Sequence, residues 1–512
     1  MLKPDPARSQ ELIDRIRGLD TDKRRQLFGK LHQAGVNVAR LPIVPASESG
    51  LLPLSYAQQR QWFLWLLEPQ SAAYNMCSAL RLKGALNTQA LEQALHALIE
   101  RQASLRTRFS EVDGQARQRL LAPDELGFVL DRRGTDETQA ERAIQVCLGE
   151  EAQRPFDLTG EALIRARLLP LASDDHVLVL TLHHIISDGW SMGVLVEELM
   201  ALYHASEQGT AAQLPLLPIQ YSDYGLWQRQ WLEAGEGERQ LSYWQAQLGG
   251  EQTLLTLPTD SPRPALQSLR GASLNLHVPA PLVAGLRQLA QQQDVSLFTV
   301  LLGSFQALLY RYSGQADIRV GVPNANRNRA EAERLIGFFV NTQVFKGLFA
   351  GPMPFDAVLR ALHLTGQDAQ AHQDLPFEQL VEALQPERNL SHNPLFQVMF
   401  NHQVGHRGVQ RDLGLVVEPL HASSATAQVD LTLDTSETAD GLVATFTYAT
   451  DLFAAASIER MAAHWQNLLT AIVANPACAV GELPMLDSAE QHQVVEQWNA
   501  TASAAFPLDS CV

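Results

Sequence analysis

The run Val177-Leu178-Val179-Leu180-Thr181-Leu182-His183-His184-Ile185-Ile186-Ser187-Asp188-Gly189 decides how the whole chain is read. Its apolar opening, Val177 to Leu180, predicts a buried strand that ends at the two histidines. Side chains alternate across a strand, so His183 and His184 are expected on opposite faces, with only one of them facing a given cavity. Ser187-Asp188-Gly189 predicts a turn. Asp188 can hold it by accepting backbone N–H bonds or by pairing with a buried cation, and Gly189 permits backbone conformations that cost other residues more. Ser191 is placed to cap the helix that follows, whose spacing runs through Leu195, Leu199 and Leu202. Imidazole titrates near neutral pH and accepts a proton from an attacking group, which suits a histidine at a strand end to acid/base or positioning work. A bare His-His pair more often just satisfies local hydrogen bonds. Asp and Gly at a fixed offset tip the balance toward function.

Outward from this run, strand-like and helical patterns alternate. Leu86 to Leu105 carries helical spacing through Leu91, Leu95, Leu98 and Ile99. A second stretch of the same kind starts near residue 273, with a strand from Ser273 to Val278, an apolar helix from Leu297 to Tyr312 and a strand from Ile318 to Val322. The expected class is α/β (α+β), with helices covering sheets. At 512 residues the chain exceeds the size at which one hydrophobic core stops growing, so two lobes are expected, with Leu248 to Arg263 as a crossing segment. No short-period repeat is present, which excludes solenoids and propellers. The first forty residues predict two short amphipathic helices, one through Leu12, Ile13, Ile16 and Leu19, the next through Leu27, Phe28 and Leu31. Thr21 is the expected N-cap between them and Gly35 the closing residue; Leu41 to Pro45 then reads as an extended linker.

A composition of 46% hydrophobic and 19% charged residues is that of an ordinary soluble protein. The net charge of −17 argues against a nucleic-acid partner, which would demand a basic face, and leaves any docking of partners to local patches. Cys77, Cys147, Cys478 and Cys511 are scattered without metal-ligand spacing and read as reduced thiols. The N-terminus is too charged for a signal peptide and no run suits a membrane helix. A soluble, cytoplasmic protein with no membrane contact is expected.

The segment Leu182 to Ser191 resembles the HHxxxDG signature of the condensation domains of nonribosomal peptide synthetases, related in fold to chloramphenicol acetyltransferase. Six further stretches resemble that family's motifs in the family's order. Ser55 to Leu64 is similar to SxAQxRxWxL, Arg101 to Phe109 to RHExLRTxF, and Tyr221 to Trp227 to YxDYxxW. Ile336 to Thr342 is similar to IGxFVNT, His372 to Glu378 to HQDxPFE, and Arg388 to Leu395 to RxxSxxPL. Gln102 and Ala103 depart from the pattern, standing where the family has His and Glu, which weakens any role for those two positions. The resemblance implies two chloramphenicol-acetyltransferase-like lobes in a V, with a tunnel and active site between them. The expected division is a helical linker after an upstream carrier domain (1–47), an N-terminal lobe (48–230), a C-terminal lobe (231–490) and a linker into an adenylation domain (491–512).

The resemblance also implies roles. His184 takes the catalytic place, where the amine of an acceptor aminoacyl thioester attacks a donor thioester; His183 is structural. Asp188 is expected in an ion pair with a buried arginine, Arg106 first and Arg101 second, supported by Gly189. Asn341, Trp227 and Ser191 are candidates to line the tunnel, with packing the competing role for Trp227 and a satisfied buried amide for Asn341. No metal or organic cofactor is implied, because the phosphopantetheine arms belong to the carriers. Donor and acceptor carrier domains and an adenylation domain are the expected partners of a monomer, with an L-configured donor. The alternatives are an epimerisation domain, disfavoured by Ser191-Met192-Gly193 after the motif, and a catalytically silent docking module of the same fold.

Overall fold

Among the described residues, the β-structure falls into three sheets. In the computed structural model, residues 16–500 are described apart from 17, 35, 37, 46–49, 133, 135–139, 252–253, 386–388, 404–409, 413–414, 421–425 and 439. The first predicted helix before Ile16, and Gly35, lie outside them.

The apolar run quoted above forms β7, Asp175–His183, buried at every position after the first. That burial follows from its place inside a six-stranded sheet covered on both faces. Its neighbours are β2 (Asn75–Lys83) and β6 (Ile164–Ala172), both antiparallel to it. Beyond β6 lies β5 (Leu130–Arg132). On one face, α3 (Thr88–Arg101) and α5 (Gly189–Gln208) pack together, bringing Leu91, Leu95 and Leu98 into one core with Leu178, Leu180 and Leu195. On the other, α4 (Ala140–Gln153) sets Ile144 and Leu148 against Val177 and Val179. A small sheet of β1 (Leu52–Pro53), β4 (Gln115–Leu120) and β3 (Thr107–Val112) sits nearby.

The second six-stranded sheet has the order β10-β9-β11-β14-β15-β8. These are Asn341–Leu348, Asp317–Asn324, Val398–Gln403, Leu431–Thr438, Gly441–Ala449 and Gly271–Pro279. Helices α8 (Ala280–Gln292), α9 (Leu297–Ser313), α10 (Phe355–Gln370) and α12 (Ala455–Ala474) pack on it around Phe305, Phe400, Phe446 and Trp465. Ser296 caps α9 by accepting from Thr299 N, and Gly314 ends it at φ 68°, a conformation glycine adopts without steric cost. Helices α11 (Phe377–Leu384) and α13 (Ser488–His492) complete the second half. The fold is therefore mixed α/β, with helices and open sheets.

Two features depart from a simple division at residue 230. Helix α6 (Tyr221–Trp231) runs past residue 230, and the break comes a few residues later, at a kink where Gly235 takes φ 118° before α7 (Gly237–Leu248). Strands β12 (Gln410–Asp412) and β13 (Leu415–Leu420), from the second half, join the first sheet, where Val416 pairs with Lys83. The expected crossing segment from residue 248 to 263 buries Leu255 and Leu257 in the second core.

The N-terminal segment is docked. Helix α1 (Thr21–Gln33) is capped by Asp20, whose carboxylate accepts from Lys23 N, and not by Thr21. Phe28, Ile43 and Val44 are buried with Trp227, Trp231, Leu335 and Phe339, so the extended stretch read as a linker is part of a core. Among the described residues, no helix is long and apolar enough to cross a membrane.

Candidate active site

Strand β7 stops at His183, whose N–H donates to Leu163 O, while His184 N donates to Tyr74 O. A single 3-10 turn, His184–Ile186, follows, and Asp188 then caps α5. The two histidines go separate ways, but His184 lies in the turn and not on the strand, so the turn and not the strand alternation separates them. His183 is 3% exposed and lies edge-on to Phe156, and its Nδ1 accepts from Ile185 N at 3.0 Å. His184 is half-buried, with its ring 4.7 Å from that of Phe338 and its Nδ1 2.9 Å from Ser187 O. A carbonyl oxygen only accepts, so Nδ1 of His184 carries the hydrogen and Nε2 holds the lone pair. That Nε2 makes no hydrogen bond among the described residues.

Burial holds His184 below the ordinary imidazole value, opposed by the negative charge of Asp188 and the Ser187 carbonyl. It is therefore neutral at neutral pH. Burial pushes His183 further, to about 3, with His184 and Arg165 adding to the effect. Folded His183 thus stays neutral where the unfolded chain takes up a proton, near 6.5. This contribution to stability is full above pH 6.5 and is lost as pH falls toward 3, by about 1.4 kcal/mol per pH unit. His183→Asn, whose amide oxygen can stand where Nδ1 accepts, is expected to show a shallower acid slope in urea denaturation; an unchanged slope would contradict this.

The cation paired with Asp188 is Arg327, a residue that the sequence reading missed. Asp188 is fully buried and the Arg327 side chain is 2% exposed, with Nη2 3.1 Å from Asp188 Oδ1. Arg327 also donates to Ser191 Oγ, Ala332 O and Leu335 O and lies over the Phe339 ring at 4.1 Å. The other oxygen of Asp188 accepts from Phe339 N, and Oδ1 also accepts from Ser191 N. Asp188, not Ser191, is therefore the cap of α5. Ser191 Oγ instead donates to Gly337 O. The turn that carries His184 is in this way tied to residues 327–339 of the second half.

The two expected partners of Asp188 are engaged elsewhere. Arg106 donates to Leu121 O, and Arg101 pairs with the buried Glu198. Gln102 also has more weight than the departure from the family pattern suggests. It is 1% exposed, donates to Glu198 and to Arg334 O, and accepts from Ile336 N. Gly189 takes the first position of α5 without a positive φ, and a Cβ there would meet nothing within 4 Å. Its expected backbone role is absent. The glycine that the site needs is Gly337: a Cβ there would lie 2.0 Å from the Tyr221 ring, whose hydroxyl donates to Phe338 O.

Next to Phe338 lies a narrow cleft with a volume of about 20 Å³, bordered by Tyr56, Arg60, Phe338, Asn341 and Glu378 among others. Tyr56 and Arg60 lie on α2 (Tyr56–Leu67), whose Ser55 forms a capping box with Gln58. Glu378, on α11, pairs with Arg60 at 3.3 Å, so the two halves of the chain meet across the cleft. Asn341 borders it, yet all its amide capacity is used: Nδ2 donates to Gln373 O and Leu375 O, and Oδ1 accepts from Thr342 N and Phe377 N. Trp227 and Ser191 do not border it. Trp227 stacks on Trp231 at 5.0 Å, and Ser191 is buried in the Asp188 network. No group of three or more His, Cys, Asp or Glu side chains among the described residues is placed to hold a metal ion.

His184 thus sits on a turn held by a buried Asp–Arg pair, with its ring against Phe338 at the edge of the cleft. The chain belongs to the condensation-domain family, whose model, described as "Condensation domain", matches residues 48–495. One of the linear gramicidin synthase proteins of Brevibacillus parabrevis is 47% identical over 475 residues, covering 92% of this chain and 6% of that protein. A second linear gramicidin synthase protein from the same organism is 46% identical, covering 91% of this chain and 9% of that protein. The chain thus spans less than a tenth of these relatives. Among solved structures, the X-domain from teicoplanin biosynthesis matches with a TM-score of 0.79 at 25% identity, covering 87% of this chain and 100% of that one.

Proposed function

We propose that this chain is a peptide-bond-forming condensation domain of a nonribosomal peptide synthetase, joining two carrier-borne thioesters with His184 at the reacting centre. The observation that carries this reading is the HHxxxDG turn itself, which holds a neutral imidazole with Nδ1 tied to Ser187 O, Nε2 without a hydrogen bond among the described residues, and its ring against Phe338, a residue that borders the cleft. The acceptor amine attacks the donor carbonyl, forming the C–N bond and a tetrahedral intermediate. The C–S bond then breaks and the donor carrier leaves with its thiol. An α-amino group titrates near ~8, so a useful fraction is neutral at cellular pH and a strong base is unnecessary. Nε2 orients the amine and accepts its proton as the amide forms.

The phosphopantetheine arms belong to the carriers, and the domain binds no cofactor of its own. Upstream donor and downstream acceptor carriers and an adjacent adenylation domain are its partners in the cytoplasm, and the donor terminus is L-configured. The relatives' identity as parts of a synthase supports this setting. A second reading, a module that recruits other proteins without chemistry, is favoured by the likeness to the teicoplanin X-domain, which is also known in complex with OxyB. The unoccupied Nε2 weighs against it.

The test is to incubate the protein in D₂O with donor-loaded and acceptor-loaded carriers, using several donors, and to follow the carriers by intact mass spectrometry. Amide on the acceptor carrier, without deuterium at Cα, is expected. No amide with any donor contradicts the reading, and Cα deuterium without amide identifies an epimerase.

A further inference from the structure

The β3–β4 hairpin carries an arrangement that the fold does not explain. Its register sets Arg108 opposite Arg119 and Ser110 opposite Arg117, so three arginines share one face; the opposite face presents the buried pair Phe109 and Gln118 to the core. Like charges directly opposite on an antiparallel pair destabilise it. Neutralisation within the chain is slight. Glu125 stands 4.0 Å from Arg119 with both side chains about half exposed, Arg117 bonds the Gln115 amide, and Glu111, opposite Ala116, belongs to the other face. Arg108 makes no hydrogen bond or ion pair among the described residues, and its Nε is buried without a partner. This stands in a chain of net charge −17.

The positive face leads toward the cleft. Pro53 of β1 pairs with Arg117. The next residue, Leu54, accepts from Arg229 Nε, and the Arg229 guanidinium lies over the Tyr56 ring at 4.4 Å. Arg229 is close enough to Arg117 for the two charges to repel, on top of its larger loss of hydration. Tyr56 borders the cleft together with Arg60. A series of guanidinium groups therefore runs from the hairpin to the cleft mouth.

We infer that the arginine face of β3–β4 docks one of the two carrier domains, gripping the phosphate at the root of its arm and acidic side chains around it. The inference rests on the reading above that substrates arrive on carriers. When the thioester end of an arm is inside the cleft, its phosphate remains at the protein end, outside the mouth. Guanidinium is the side chain best suited to it, offering paired N–H donors in the geometry of phosphate oxygens. On a chain this acidic, an anionic partner is repelled by most of the surface and drawn to this face.

The test compares wild type with Arg108→Ser/Arg119→Ser and with Arg108→Lys/Arg119→Lys. Holo-carriers from the same synthetase are titrated by fluorescence anisotropy, and amide formation is measured with carrier-borne substrates and with N-acetylcysteamine thioesters, which lack phosphate and protein. For one of the two carriers, the serine variant is expected to bind roughly tenfold more weakly and to lose most of its salt dependence. The lysine variant should bind nearly as wild type, and the small thioesters should react equally with all three. Unchanged binding of both carriers by the serine variant would overturn the inference, as would an equal loss with the small thioesters. If wild type makes no amide from any substrate, the proposed function fails, while the binding data still decide the docking face.

Discussion

His184→Ala is expected to lower single-turnover amide formation by about 10²–10⁴-fold, the usual share of a positioned acid/base group. The imidazole is half-buried and makes one hydrogen bond, to Ser187 O, plus a ring contact with Phe338. Its loss leaves no buried charge and only one carbonyl to be hydrated, so the variant should fold, with a urea midpoint close to wild type. His184→Gln tests positioning separately: a residual rate well above that of alanine would assign most of the effect to orientation of the amine. A folded alanine variant with the wild-type rate would remove His184 from the mechanism.

The largest expected effect on stability is that of Arg327→Met. It leaves the Asp188 carboxylate fully buried without its cation, and breaking one side of such a pair costs about 3–5 kcal/mol. Asp188 still accepts from Ser191 N and Phe339 N, but those neutral donors do not replace a guanidinium. Activity should fall with stability, because the same contacts tie the His184 turn to the segment that supplies Phe338. Asp188→Asn/Arg327→Met removes both charges and should recover part of the loss, giving a coupling energy in a double-mutant cycle. Urea denaturation of the four proteins checks this. Additive losses would mean that the two residues do not act as a pair.

Much of this site is legible in the chain. The apolar run into two histidines predicts β7, but the strand's period of two stops at His183, and the turn that begins at His184 is what sets the two apart. Helical spacing locates α3, α5 and α9 within a few residues. What stays hidden is tertiary in origin. Arg327 lies 139 positions from Asp188, in the loop Asn326-Arg327-Asn328-Arg329, and nothing local separates a buried loop arginine from a solvated one. Gln102 counts for little as a departure from the pattern, although an amide both donates and accepts and so bridges Glu198 to the backbone at Ile336. The capping expectations at Thr21 and Ser191 fail where an aspartate just upstream is the better acceptor. Pairing of β13 with β2 joins segments more than 300 residues apart, and the local pattern of a strand does not name its sheet.

At the centre of the mechanism is an imidazole that offers an unprotonated Nε2 at neutral pH. The direct measurement is a long-range ¹H–¹⁵N correlation spectrum of ¹⁵N-histidine-labelled protein, with His184 assigned by comparison with His184→Gln and followed from pH 8 downward. The expected spectrum shows Nδ1 protonated and Nε2 unprotonated at pH 7, with titration only below the ordinary imidazole value of 6.5. A proton on Nε2 at pH 7, in either the other tautomer or the imidazolium, would contradict the mechanism.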